Sequence, residues 1–314
     1  MHRRHAIKLG IAGGAGLLLG VRPLHATDPL ATRRLELIRR AIPSSGELLP
    51  VVGLGTARTL EAAAGDAGQR AAAKEVIRQF VETGGTLIDT APSYGRAELL
   101  LGELVRELGV AERLFTATKV GARGREQGIA QMEESMARLA PQDIDLMQVH
   151  NLTDVDTQLA TLREWQQAGR IRYLGVTTSS ARQYEQLEAV MRRETLDFVQ
   201  LDYSIDNRGV EERLLPLAQE RGMAVLVNLP FGRARLFQRV AGRELPTWAR
   251  GQLGIESWAQ YFLKFILGHP AITAVIPATS NPRHVVDNLG AAIGNLPEPE
   301  LRARMIRDFE AGSA

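Results

Sequence analysis

Cysteine is absent from the 314 residues. That excludes disulfides, a thiolate nucleophile, zinc ribbons and iron–sulfur sites, and it leaves the chain indifferent to the redox state of its compartment. An excess of one charge sign is also lacking: 38 basic against 36 acidic residues leave a formal +2. No Lys/Arg block is interleaved with the sparse aromatics, so nucleic acid is not an expected partner. Neither is a metal, since the 6 histidines are scattered. The uncharged run from Leu9 to Val21 falls well short of the roughly 20 residues a membrane-spanning helix needs, so no stable membrane anchor is expected. What is present is ordinary globular composition, 45% hydrophobic and 24% charged, enough for one large core or two modest ones.

The first 26 residues read as a leader rather than as fold. A basic start carries the pair Arg3-Arg4, the Gly-rich apolar run follows, and Arg22-Pro23-Leu24-His25-Ala26 ends on a small residue suited to cleavage. This resembles a twin-arginine signal, which implies the Tat export machinery as a partner and a periplasmic destination. Gly14-Ala15-Gly16 has the look of a dinucleotide fingerprint, but no strand precedes it and its acidic partner is missing.

Residues 27–314 show no linker or break in composition and read as one domain. Leu49-Pro50-Val51-Val52-Gly53-Leu54-Gly55-Thr56 is expected to be a first strand. Helical periodicity in 69–82 precedes Thr86-Leu87-Ile88-Asp89-Thr90, a short β-branched run opened by Gly84-Gly85 and closed by Pro92, Ser93 and Gly95. Helices over 97–108, 129–139, 158–168, 184–193, 211–220 and 258–267 then alternate with strands over 114–120, 144–150, 171–178, 198–203, 224–228 and 273–277. Eight strands separated by amphipathic helices call for right-handed parallel crossovers, and in this length they fit a closed (β/α)8 TIM barrel better than an open doubly wound sheet. The open sheet would also want a glycine fingerprint after its first strand.

In such a barrel reactive groups come from the carboxyl ends of several strands. Asp89, Lys119 and His150 fall there on the second, third and fourth strands, with Tyr94 in the loop beyond the second. Each has a plain structural explanation taken singly; four on three adjacent strands point to chemistry. A phenol ordinarily ionises near ~10, so trading protons near neutrality needs a cation that favours the phenolate. Lys119 can be that cation, with Asp89 holding it charged, while His150 hydrogen-bonds a substrate oxygen. None of these groups can supply a hydride, so a nicotinamide cofactor must.

These residues carry a resemblance to the aldo-keto reductases. LIDTAPSYG, FTATKV, DLMQVHN, IRYLGVTT and IPATSNPRHVVDN stand in that family's order and strand context, from Gly53 to Asn288. The resemblance implies a tetrad of Asp89, Tyr94, Lys119 and His150 with Tyr94 as general acid/base. It implies a substrate site of Tyr94, His150 and Asn151, and hydride exchange between NADP, or alternatively NAD, and a small carbonyl or alcohol. Gly55, Thr56 and Asp89 would flank the nicotinamide, with Thr177, Thr178 and Gln200 on its carboxamide. Asn228, Pro230, Phe231 and Gly232 would line the dinucleotide, and Ala278, Thr279, Ser280, His284 and Asn288 its adenosine end. Asn281 before Pro282 independently reads as an N-cap with proline at the first helical position, an anion site by its free N–H groups and dipole.

Three departures stand out. Ala278 and His284 replace a lysine and an arginine that hold a 2′-phosphate in many members, Asn228 replaces an aromatic that stacks on nicotinamide, and Ala57 replaces a pocket tryptophan. The long connection over 232–257 reads as a lid or binding loop with Trp248 as a pocket wall, or else as a surface excursion tied down by its own aromatics. A monomer is the expected state. The rival readings are a catalytically silent nucleotide sensor and a Schiff-base isomerase or aldolase using Lys119; Asp89 beside that lysine opposes the second by keeping the amine protonated.

Overall fold

The computed structural model describes residues 36–63, 65–140 and 143–311, so the expected signal over 1–26 lies outside the described residues. Two antiparallel strands, β1 (Arg39–Ala41) and β2 (Leu48–Pro50), come first. Eight parallel strands follow: β3 (Leu54–Gly55), β4 (Leu87–Asp89), β5 (Phe115–Val120), β6 (Leu146–His150), β7 (Tyr173–Thr177), β8 (Phe198–Asp202), β9 (Ala224–Asn228) and β10 (Ala274–Val275). Each pairs with the next in chain order. The seam between first and last closes through parallel bridges Val52 to Val275 and Gly55 to Ala278, with Gly53 N–H on the Val275 carbonyl at 2.8 Å and Gly55 N–H on that of Pro277 at 3.0 Å. The result is the (β/α)8 barrel.

The helices are α1 (Leu60–Ala63), α2 (Ala67–Thr83), α3 (Ala97–Leu108), α4 (Arg125–Leu139), α5 (Val155–Gln167), α6 (Tyr184–Arg193), α7 (Leu214–Glu220), α8 (Arg235–Arg239), α9 (Thr247–Leu253), α10 (Trp258–Leu267), α11 (Pro282–Gly290) and α12 (Pro299–Ala311). Their ends have local causes. Asp66 caps α2 by accepting from the Gln69 N–H at 2.7 Å, and Gly84, at φ 107°, takes the left-handed turn that stops it. Ser257 caps α10 in the same way.

The first expected strand is divided in two. Residues 48–50 pair back onto 39–41 as a hairpin, and only 54–55 join the barrel. Pro50 cannot donate to a ladder and Gly53 permits the chain to change course, so one apolar run serves two sheets. The hairpin closes the amino end of the barrel: Ile42 and Leu49 join Leu87, Phe115, Tyr173 and Phe198 in the inner apolar cluster, while Ser45 and Glu47 accept from the Tyr173 hydroxyl at 2.8 and 2.7 Å. A larger cluster fills the space between strands and helices.

Candidate active site

Strand alternation decides which groups reach the mouth. Asp89 ends β4, Lys119 is the penultimate residue of β5 and His150 ends β6, so three neighbouring strands deliver them to one rim. Tyr94 follows in the β4–α3 turn, its N–H bonded to the Ala91 carbonyl at 3.1 Å.

Lys119 is 1% exposed and donates to Asp89 Oδ2 and to the Thr90 carbonyl, each at 2.7 Å. Burial alone would push its pKa down, but the Asp89 carboxylate and the Tyr94 hydroxyl outweigh that and raise it above the ordinary lysine value. The ammonium lies 5.3 Å from the Tyr94 ring centre. His150 meets the same ring edge-on, centroids 6.1 Å apart and planes at 85°, and its Nδ1 is 3.4 Å from the Ser93 hydroxyl. Burial first, and the Lys119 charge second, push the His150 pKa down to about 4. The imidazole is therefore neutral at pH 7. Asn151, Leu152 and Asp154 take positive φ in the turn beyond it, an unfavourable backbone held by Gly124 N–H on Asp154 at 2.7 Å and by Gln183 on the Asn151 carbonyl at 2.8 Å. All four tetrad residues are thus brought together, and Asn151 is exposed on the same rim.

The residues expected to hold a nicotinamide form a continuous hydrogen-bonded ledge. Thr56 donates its N–H and hydroxyl to the Asp89 carbonyl, both at 3.1 Å. Gln200 donates to Asp89 Oδ1 at 2.8 Å, and its own carbonyl accepts from Thr177 at 3.0 Å and Asn228 at 3.3 Å. Asn228 also donates to the Thr178 carbonyl at 3.1 Å, and the Thr178 hydroxyl donates to Gln183 at 2.6 Å. Phe231 rests on Phe237, centroids 5.0 Å apart, and Pro230 and Gly232 are buried beside it. One acceptor of the ledge, Asn228 Oδ1, is buried without a partner among the described residues. An orphaned acceptor beside an amide ledge fits the donor-bearing carboxamide of a nicotinamide.

At the other end, Asn281 caps α11 with Pro282 in its first turn, as expected. The cap uses donors that were expected to be free: Asn281 takes the Arg283 N–H with its side chain and the His284 N–H with its carbonyl, both at 3.0 Å. Ala278, Ser280 and His284 are exposed, Thr279 and Asn288 are buried, and Thr279 Oγ1 lies 3.4 Å from His284 Nδ1.

The long connection is not a bare loop but carries α8 and α9. Trp248 is tied to the C-terminal helix α12, donating to Asp308 at 2.7 Å with Arg304 4.4 Å over its ring. Among the described residues no cluster of histidine and carboxylate could hold a metal ion. Gln148 escaped the sequence reading: it donates to Asp89 Oδ1 at 3.3 Å. The signal was available, since a residue two before His150 on a strand shares its face.

The chain is similar to several known proteins. Methylglyoxal reductase YeaE of Escherichia coli is 28% identical over 84% of this chain and 93% of its own length. Aldo-keto reductase YhdN of Bacillus subtilis is 32% identical over a shorter stretch, 49% of this chain and 50% of that protein. A Klebsiella pneumoniae aldo/keto reductase crystallised with NADP and acetate superimposes with a TM-score of 0.70 at 26% identity, over 84% of this chain and 93% of that one. A Klebsiella pneumoniae aldo-keto reductase in complex with NADPH gives 0.73 at 25% identity, over 87% and 96%. The sequence model of the Aldo/keto reductase family matches residues 51–304, and the chain belongs to that family.

Proposed function

We propose that this chain reduces a small carbonyl compound, or oxidises the corresponding alcohol, with Tyr94 as the general acid/base. At the coarser level it is an NAD(P)-dependent oxidoreductase, with NADP as its cofactor. The observation that carries the finer reading is the buried Lys119 ammonium, shared between Asp89 at 2.7 Å and the Tyr94 ring at 5.3 Å, beside a neutral His150.

The division of labour follows from charge. When bound, the nicotinamide supplies the hydride. Reduction leaves negative charge on the substrate oxygen, which must gain a proton as the hydride arrives. Tyr94 gives it, and Lys119 stabilises the negative charge left on the phenol oxygen. Asp89 keeps the lysine protonated and in place. His150, being neutral, holds the carbonyl oxygen by a hydrogen bond without competing as a proton donor. Thr177, Thr178, Gln200 and Asn228 would hold the carboxamide. Thr279 and Ser280, on the turn before α11, would hold the adenosine phosphates.

Methylglyoxal, the substrate in the name of the Escherichia coli relative, is the first compound to try. Loss of NADPH absorbance with methylglyoxal or another small aldehyde tests the reading. No turnover of any such carbonyl, by protein shown to bind NADPH, would refute it. Export is proposed on the sequence alone: residues 1–26 as a twin-arginine signal, 27–314 as the enzyme, and a monomer in the periplasm.

A further inference from the structure

Asp89 keeps its carboxylate almost wholly out of solvent, 4% exposed. Oδ2 is taken by Lys119 at 2.7 Å. Oδ1 takes two side-chain amides, Gln200 at 2.8 Å and Gln148 at 3.3 Å. Gln148 is fully buried in β6, in register with Lys119 on β5, and shares the strand face of His150. Its donation to Asp89 is the one side-chain hydrogen bond it makes among the described residues, and its carbonyl oxygen is left without a partner. A buried unpaired acceptor is unfavourable, and methionine or leucine would fill that space without it. Packing therefore does not account for a glutamine here; the donor does.

Gln200 cannot be a dedicated partner of Asp89. Its carbonyl is held by Thr177 and Asn228, the groups on which a nicotinamide carboxamide would rest under the function proposed above. A bound carboxamide competes for the same amide, and whenever Gln200 turns to meet it, Gln148 is the donor that Asp89 Oδ1 has left. We propose that Gln148 is a positioning residue of the proton relay, holding Asp89 aligned on Lys119 while Gln200 serves the cofactor. It touches neither substrate nor hydride. Its effect reaches Tyr94 through Asp89 and Lys119.

The sign of the effect is set by the amide's N–H end, a positive partial charge beside the relay. Removing it makes the surroundings of the proton donor more negative and holds the proton more tightly. Gln148→Met keeps the volume and deletes the donor; Gln148→Asn keeps a donor but withdraws it by one methylene. In both, kcat for carbonyl reduction is expected to fall about tenfold. The alkaline limb of reduction and the acid limb of alcohol oxidation should both move up by about half a pH unit or more. The NADPH dissociation constant, read by fluorescence titration, should stay within about twofold because the cofactor ledge is intact. Folded Gln148→Met with unmoved limbs overturns the proposal; if that variant fails to fold, Gln148→Asn decides by the same limbs. Recovery of neither variant as folded protein also overturns it, assigning Gln148 to barrel stability alone. Tyr94→Phe run alongside separates the two ideas. If it keeps turnover, the reading of the whole site fails; if it is inactive while the Gln148 limbs stay put, only the present proposal fails.

Discussion

The Lys119 ammonium lies 2.7 Å from Asp89 Oδ2 and 5.3 Å from the centre of the Tyr94 ring, so one buried cation serves a carboxylate and a phenol together. In the function proposed above, the carboxylate fixes the charge and the phenol makes use of it. A proton leaving Tyr94 would then move under the field of a cation already in place, which costs no rearrangement at the moment of reaction.

Tyr94→Phe removes the transferable proton and leaves the ion pair. Turnover should fall by about 10²–10⁴-fold while NADPH affinity hardly changes. Steady-state rates paired with a fluorescence titration check both halves, and retention of more than about a tenth of wild-type turnover would refute the role given to Tyr94.

His150 gives a pH dependence with a definite sign. Its folded pKa of about 4 lies below the unfolded value of about 6.5, so between the two the unfolded chain takes up a proton that the folded chain refuses. The stability linked to His150 is complete above about pH 6.5 and is lost as pH falls towards 4, at most on the order of 3 kcal/mol. Urea unfolding near neutrality and near the folded pKa should show His150→Asn losing less stability on acidification than wild type. Equal losses would mean that the imidazole is not held neutral in the fold.

Ala278 is exposed on the turn before α11 and offers no charge to a 2′-phosphate. Ala278→Lys should raise preference for NADP over NAD by about tenfold, the size expected of one charge-assisted contact. Titration of both nucleotides against both proteins measures it. A shift towards NAD would place the adenosine end elsewhere.

The export proposed above would tie the two ends of the chain together. A route that carries folded protein would allow the nucleotide to be loaded before crossing, and outside the cytoplasm occupancy would then require a dissociation constant far below the ambient concentration. Periplasmic wild-type protein should retain nucleotide through desalting, and Arg3→Lys with Arg4→Lys should leave active enzyme in the cytoplasm. Nucleotide-free periplasmic protein with affinity of about micromolar or weaker would contradict early loading.

Much of this arrangement was legible in the chain because its signals are local. Helices α3, α6 and α10 run over the expected residues because apolar periodicity defines them without reference to neighbours, with Gly109 and Gly268 following α3 and α10. The tetrad was legible because strand ends deliver it in order. The hairpin was not: residues 48–50 and 54–55 lie in one apolar run, and only pairing with 39–41 and 87–89 separates them. Trp248 was ambiguous because its partners, Asp308 and Arg304, lie far along the chain in α12. Gln200 stood out as a cofactor contact, but its bond to Asp89 joins residues on β8 and β4, which no sequence spacing reveals.

That hairpin also sets the polarity of the barrel. With Ile42 and Leu49 set into its floor, and Phe115, Tyr173 and Phe198 packed ring against ring above them, the amino end is stoppered with apolar side chains. If Tyr94 is the proton donor proposed above, the proton it spends would be replaced from the carboxyl end, the side from which substrate would enter, and a seated substrate would stand between the phenol and the solvent.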